Sequence, residues 1–357
     1  MGQPSVTTAP APSLAEKVAV LRRAETYGLP PGEVAARETH MSWVFFAGDR
    51  VYKLKKPVRF SYLDFSTLAR RAQACRMEAS INRASAPGVY LGVEPLVLRD
   101  GALALGGAGE AVDWLVVMRR LDPSTMLEAR IAAGGPEAAE TTRLVAAIAD
   151  FYRRAARVSV RPDGHLKHWR EQLAFNRRIL MTPRLGMPAG QVRFVDAALQ
   201  RVVRARPGLI LGRVTAGRIL DCHGDLRPEH VCLEARVLLI DRLEFSRALR
   251  AIDPLQELAY LDLECRALGR PDIGRRIARG VVRRLGEPAD PALYLFYRAH
   301  QAMLRARLSI AHLLDPEPRT PEKWPWKARA YLALARRDAV RLTVLLNRRE
   351  DRSSPRR

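Results

Sequence analysis

The stretch from Asp221 to Asp253, DCHGDLRPEHVCLEARVLLIDRLEFSRALRAID, constrains this chain more than any other. His223-Gly224-Asp225 is followed by a short polar run, a strand-like Val237-Leu238-Leu239-Ile240, and then Asp241. Transfer of a terminal phosphoryl group needs one carboxylate near an acceptor hydroxyl and another on the metal that bridges the phosphates. Asp225 fits the first role and Asp241 the second. Two aspartates at such a separation are common, but the order HGDLRPE, apolar strand, Ile240-Asp241 is far more specific.

This segment resembles the catalytic and metal-binding loops of the aminoglycoside phosphotransferase family, which has the protein-kinase-like fold. A second block is similar to a bacterial branch of that family of uncharacterised substrate. It comprises Glu38-Thr39-His40-Met41-Ser42-Trp43-Val44-Phe45-Phe46, Gly48-Asp49-Arg50-Val51-Tyr52-Lys53-Leu54-Lys55-Lys56-Pro57 and Leu63-Asp64-Phe65-Ser66. The matching blocks cover most of positions 33 to 120 and 215 to 312. The resemblance implies an α+β, protein-kinase-like two-lobed fold, with a small sheet-rich N-lobe and a larger helical C-lobe. It implies ATP and Mg²⁺ as cofactors and a hydroxyl on a small molecule as phosphoryl acceptor.

The resemblance also assigns residues. Lys53 takes the place of the phosphate-binding lysine, because Val51-Tyr52-Lys53 matches the apolar-apolar-Lys pattern of that strand. Strand alternation puts Lys53 and Lys55 on one face, opposite Leu54. Glu78 takes the place of the carboxylate that pairs with the lysine, with Asp64 as the alternative. Met118-Arg119-Arg120-Leu121 takes the place of the hinge whose backbone holds adenine. The turn that normally covers the phosphates lacks glycines and reads Thr39-His40-Met41-Ser42, where Ser42 and backbone N–H groups are the available donors. Arg227 is placed to neutralise charge on the transferring group, and Glu244 to assist Asp241. The chief departure is His230, which stands where the family has a metal-ligating Asn. Mg²⁺ prefers oxygen, so either the imidazole still coordinates, favouring Mn²⁺, or one metal position is weakened. Arg250 and Asp253 read as an internal structural pair. Tyr297-Arg298-Ala299-His300 through Arg305-Ala306-Arg307 reads first as a solvated basic helix face, with an acceptor-site wall as the alternative.

The chain of 357 residues carries a net charge of +22. Seven lysines and fifty-three arginines are spread through nearly every segment, with no interleaved aromatic platform. Nonspecific attraction to polyanions is expected, and specific nucleic-acid binding is not. No GxxxxGK[ST] sequence occurs, which removes the P-loop class. The resembling branch often carries such an ATPase domain after its kinase-like part, and none is expected within these 357 residues. Cys75, Cys222, Cys232 and Cys265 form no CxxC pair and read as reduced, space-filling residues. With neither a long apolar run nor a secretory start, the expectation is a cytoplasmic protein without a membrane span.

Periodicity predicts a disordered stretch over 1–12, an N-lobe over 13–121, a C-lobe over 122–346 and a basic tail over 347–357. Helices are expected at 15–24, from an N-cap at Ser66 to about 84, and at 137–157, 165–181, 190–204, 255–268, 271–285, 291–314 and 326–346. Strands are expected at 34–39, 43–47, 51–55, 90–98 and 111–118, the last two around a Gly-rich hairpin at 106–109. The leading function is an ATP-dependent phosphotransferase. Cationic aminoglycosides are poor candidates for so basic a helical lobe. The alternatives are a nucleotide-binding regulator with little turnover, or a polyanion-binding protein that keeps the fold only as a scaffold.

Overall fold

The computed structural model describes residues 11–60, 63–286, 289–315, 317–318 and 320–353. The expected disordered stretch falls outside these residues except for 11 and 12, as does the expected tail from 354 onward. The chain divides into two compact units, Met1–Pro123 with Leu238–Arg247 and Ser124–Val237 with Ala248–Arg357. The division is not contiguous: the segment that carries Asp241 belongs to the N-terminal unit.

In the first unit, α1 (Leu14–Leu21) leads into β1 (Ala35–Glu38), β2 (Ser42–Ala47), β3 (Arg50–Lys55), β4 (Arg59–Phe60) and β5 (Leu63–Asp64). Then come α2 (Leu68–Arg83), β6 (Tyr90–Arg99), β7 (Ala102–Leu105) and β8 (Glu110–Arg119). An antiparallel six-stranded sheet runs in the order β1-β2-β3-β8-β6-β7. The β2–β3 hairpin turns at Gly48, whose φ of +57° lies in the left-handed region that glycine enters without strain. Period two sorts β3 by face. Tyr52 and Leu54 enter a core with Leu21, Phe45, Leu96 and Leu115, while Lys53 and Lys55 face α2. A buried ion cluster fastens both helices to the sheet: Asp113 of β8 accepts from Arg71 Nε and Nη2 at 2.8 and 3.0 Å and from Lys17 Nζ at 2.9 Å. The N-cap of α2 is Thr67 rather than Ser66, its Oγ1 accepting from the Arg70 N–H.

The second unit is mostly helical: α3 (Leu127–Ala132), α4 (Ala138–Arg154), α5 (Pro162–Leu180), α6 (Ala189–Ala205) and α7 (Gly208–Thr215) come before the loop region. There β9 (Leu220–Asp221), β10 (Val231–Leu233), β11 (Val237–Leu239), α8 (Arg247–Arg250) and β12 (Ala251–Ile252) are short. They are followed by α9 (Pro254–Ala267), α10 (Pro271–Leu285), α11 (Pro291–Ala311) and α12 (Lys323–Ser353). α12 runs past the expected limit at 346. α3, α7 and β7 are too short for periodicity to mark. Helix α9 is almost wholly buried and packs against α10 and α11. Gly274 of α10 permits that approach, because a Cβ there would lie 2.7 Å from Asp262 Cα. Arg298 of α11 ties three helices together, reaching Asp262 at 2.5 Å and both carboxylate oxygens of Asp338 at 2.6 Å. Arg298 and His300 are buried, Arg298 and Arg305 form internal ion pairs and Arg307 lies over the Phe175 ring, so this stretch is not the expected solvated face. Among the described residues no helix is long and apolar enough to cross a membrane.

Candidate active site

The first unit gathers five charged side chains. Lys53 Nζ lies 2.9 Å from Glu78 Oε1 and 2.8 Å from Asp241 Oδ1. Lys55 Nζ lies 2.6 Å from Glu78 Oε2 and 2.5 Å from Glu244 Oε1. Glu78, with a fully buried side chain, thus divides its carboxylate between two lysines of one strand face. Burial by itself would lower the Lys53 pKa, but Asp241, Glu78 and Glu244 outweigh it and raise the ammonium well above the usual lysine range. Burial pushes the Glu78 carboxyl up, and Lys53 and Lys55 more than reverse this, leaving it below the usual carboxylate range. Asp64, the alternative partner, is occupied by Ser66, Arg59 and Arg70.

Asp241 follows β11 with φ +59°, a conformation that costs a non-glycine residue energy and persists only when neighbours enforce it. Three contacts do so. The Asp241 N–H donates to Tyr90 Oη at 2.9 Å, the Arg242 N–H to Asn82 Oδ1 at 2.8 Å, and Asn82 Nδ2 to the Arg242 carbonyl at 3.3 Å. Asn82 lies one turn beyond Glu78 on α2, so the same helix orients the lysines and clamps the aspartate loop. The Asp241 side chain stays 42% exposed, which leaves carboxylate surface open to a cation.

The remaining expected nucleotide contacts are placed differently. Ser42 is buried at the first position of β2, and its carbonyl accepts from the Thr39 N–H and hydroxyl. The accessible part of that turn is Thr39 and His40. Met118 sits within β8, paired to Val51 and Tyr90. The Arg120 N–H is already taken by the Asp49 carbonyl at 2.8 Å, and its guanidinium lies over Phe46. Arg120 therefore caps the β2–β3 turn, and the hinge contact implied by resemblance does not run through its N–H.

In the second unit, Asp225 follows Gly224, whose φ is +88°. The turn is held from α9, where Glu257 accepts from the Gly224 N–H at 2.6 Å, the His223 N–H at 3.2 Å and the Tyr152 hydroxyl at 2.9 Å. Asp225 Oδ1 accepts from the Tyr260 hydroxyl at 3.2 Å, and Oδ2 from Arg227 Nη2 at 2.9 Å. Burial raises the Asp225 pKa, but Arg227 and then His230 outweigh it and hold the carboxyl below its usual range. His230 Nδ1 lies 2.8 Å from the Asp225 carbonyl, and Arg227 Nη2 lies 3.4 Å from His230 Nε2. A guanidinium only donates, so this arrangement is met by the tautomer with its proton on Nδ1. The ring thereby braces the loop, with a cationic neighbour on the nitrogen that a metal would need.

Arg250 and Asp253 are not a pair. Arg250 Nε reaches Asp221 at 2.8 Å, while Asp253 caps α9 and accepts from Arg213 Nε and Nη2 and from the Tyr297 hydroxyl. Sequence reasoning placed Lys55 on the face of Lys53 without giving it a role, and missed Asn82, Tyr90, Glu257 and Tyr260 as site residues. The one available signal was the row of acids, Glu257, Asp262 and Glu264, inside an otherwise apolar helix.

A small antiparallel sheet with a lysine-glutamate pair, followed by helices around an HGD loop, defines the protein-kinase-like α+β fold. Within that class the chain groups by fold with the aminoglycoside phosphotransferases and choline kinases. It is similar to a mutant of an aminoglycoside 2′-phosphotransferase solved with GDP, at 14% identity and TM-score 0.53, covering 92% of this chain and 98% of the other. It is also similar to a thermostable mutant of another aminoglycoside phosphotransferase in its apo form, at 14% identity and TM-score 0.51, covering 90% and 98%. A choline kinase from Cryptosporidium parvum matches at 9% identity and TM-score 0.50, covering 89% and 90%. In sequence the chain is 32% identical over 291 residues to an uncharacterized protein of Mycobacterium tuberculosis. That alignment takes in 80% of this chain but only 56% of the relative's length. No protein-family model matches the sequence.

Proposed function

We propose that this protein is an ATP-dependent phosphotransferase that acts on a hydroxyl of a small molecule. The observation that carries the reading is the Lys53 ammonium held between Glu78 and Asp241, the arrangement that aims a fixed positive charge at nucleotide phosphates. Lys53 would contact the phosphates and Asp241 would hold Mg²⁺, whose hard-oxygen preference its half-exposed carboxylate suits. When bound, the ion supplies charge neutralisation at the phosphate oxygens.

Asp225 has the properties of an acceptor-orienting carboxylate. It stays ionised because Arg227 and His230 overcome its burial, and Tyr260 and Arg227 fix both oxygens. So weak a base orients the hydroxyl and takes its proton only as the bond to phosphorus forms. Arg227, on release from Asp225, would neutralise charge on the transferring group.

The test is ATP turnover with Mg²⁺ across a metabolite panel, wild type against Asp225→Asn. Loss of turnover by about 10² or more with ATP binding nearly intact is expected, whereas loss of binding and fold together would mark Asp225 as structural. The His230 ring, which braces the loop through the Asp225 carbonyl and has Arg227 beside its other nitrogen, favours one second reading, a nucleotide-binding regulator. A wild-type protein that binds ATP equally well in EDTA and turns none over would support it.

A further inference from the structure

The carboxylate at the far end of the lysine chain opens onto space. A cavity of about 900 Å³ lies within the first unit, between the β4–β5 hairpin, the outer face of α2 and the residues after Asp241. Phe60, Phe65 and Phe245 form its apolar wall, and Glu244 reaches it from inside with a side chain only 7% exposed. Arg59 and Arg70, both bridged to Asp64, stand at its exposed rim. The volume is within the range of small-molecule sites.

Charge and chemistry define the occupant. The buried network holds two lysines, Lys53 and Lys55, against three carboxylates, Glu78, Glu244 and Asp241, and so carries one net negative charge. Among the described residues Lys55 is the only hydrogen-bond partner of Glu244. Burial and Glu78 keep the Glu244 carboxyl above its usual range despite Lys55, so a second cation there would be stabilising. Aromatic faces beside it suit an ammonium, as the Lys55 Nζ 4.9 Å from the Phe65 ring centroid already shows. At the rim, two arginines against one aspartate leave one net positive charge.

We propose that this cavity binds a small zwitterion with an apolar body, its ammonium on Glu244 and its carboxylate on Arg59 and Arg70. The site has a built-in output. Glu244, Lys55, Glu78, Lys53 and Asp241 are joined by consecutive ion pairs of 2.5–2.9 Å. An ammonium that takes over Glu244 weakens its hold on Lys55, draws Lys55 toward Glu78 and frees Lys53 for other anions. This regulatory part rests on the phosphate-binding role proposed for Lys53; the binding part does not.

The probes are phenylalanine, phenethylamine and 3-phenylpropanoate, added to the full chain carrying ¹³C-methyl methionine. Met77 lines the cavity, and its methyl resonance reports occupancy without reference to nucleotide. Phenylalanine is expected to shift it and to bind about tenfold or more tightly than either half-analogue. Glu244→Gln and Arg70→Gln should each weaken it by about tenfold, the loss of one charge-assisted contact. Ala74→Trp, which fills the cavity at a half-buried position, should abolish the shift. Equal binding by phenethylamine alone, or a shift that survives Ala74→Trp, overturns the site. Should phenylalanine bind while ATP affinity stays the same, the relay to Lys53 fails and the site stands. If ATP does not bind at all, the phosphotransferase reading fails, again separately from the cavity.

Discussion

Removing the Lys55 ammonium strands the buried carboxylate of Glu244, which has no other hydrogen-bond partner among the described residues, and leaves Glu78 with Lys53 alone. Lys55→Met should therefore cost about 3–5 kcal/mol of stability, the usual cost of breaking a buried pair from one side. Lys53→Met should cost well under that, since Glu78 keeps Lys55 and the half-exposed Asp241 can take up water. Nucleotide affinity should fall more for Lys53→Met. Urea unfolding and nucleotide titration of both variants check this pair, and equal stability losses would contradict the division of labour. His230 separates brace from ligand in the same way. With Nδ1 on the Asp225 carbonyl, His230→Asn should lower stability by about 1 kcal/mol and leave the Mg²⁺ to Mn²⁺ activity ratio unchanged. A ratio that moves toward Mg²⁺ would restore His230 as a metal ligand.

Helix α11 carries an element-scale consequence. His300 packs edge-on to Trp169 at 4.8 Å between centroids, and neither ring nitrogen has a hydrogen-bond partner among the described residues. Burial, then the charges of His168 and Arg307, depress its pKa to about 3. The unfolded chain thus binds the proton that the folded chain refuses, and stability rises with pH between the two pKa values. Lowering the pH from about 7 to about 5 should cost about 2 kcal/mol through this residue, and His300→Leu should remove that increment. Thermal melts of both proteins at the two pH values decide it; parallel losses would place the pH dependence elsewhere. Elements of this length were legible in the sequence, since apolar periodicity over α4, α5, α10 and α11, and a generally apolar run over α9, mark them within a few residues. The site was legible only where a motif is local. Lys53, Asp225 and Asp241 stand in recognisable runs, whereas Glu257 meets Gly224 across 33 positions and Tyr90 meets Asp241 across 151. No spacing rule reaches that far. The α11 arginines misled for a related reason: amphipathic spacing cannot tell a solvated cation from one whose acid lies on another helix, as Asp338 does for Arg298.

At the scale of the whole chain, the first unit is completed by a segment from far along the sequence. A fragment of residues 1–123 keeps Lys53, Lys55 and Glu78 but lacks Asp241 and Glu244, so its buried network passes from one net negative to one net positive charge. That fragment should bind a hydrophobic dye and melt without a cooperative transition, and a sharp melt would show that the sheet and α2 suffice alone. A contiguous division at 121 was the natural expectation, because composition shifts there from strands to helices. What composition does not reveal is that Leu238–Arg247 returns to the earlier unit.

That return makes the protein's maturation a matter of timing. Glu244 lies 189 positions after the Lys55 it neutralises, and at roughly 5–20 residues per second a ribosome takes on the order of ten to forty seconds to supply it. Through that interval the nascent first unit holds a lysine meant for burial without one of its counter-ions. The unit whose synthesis begins first is therefore among the last to be finished.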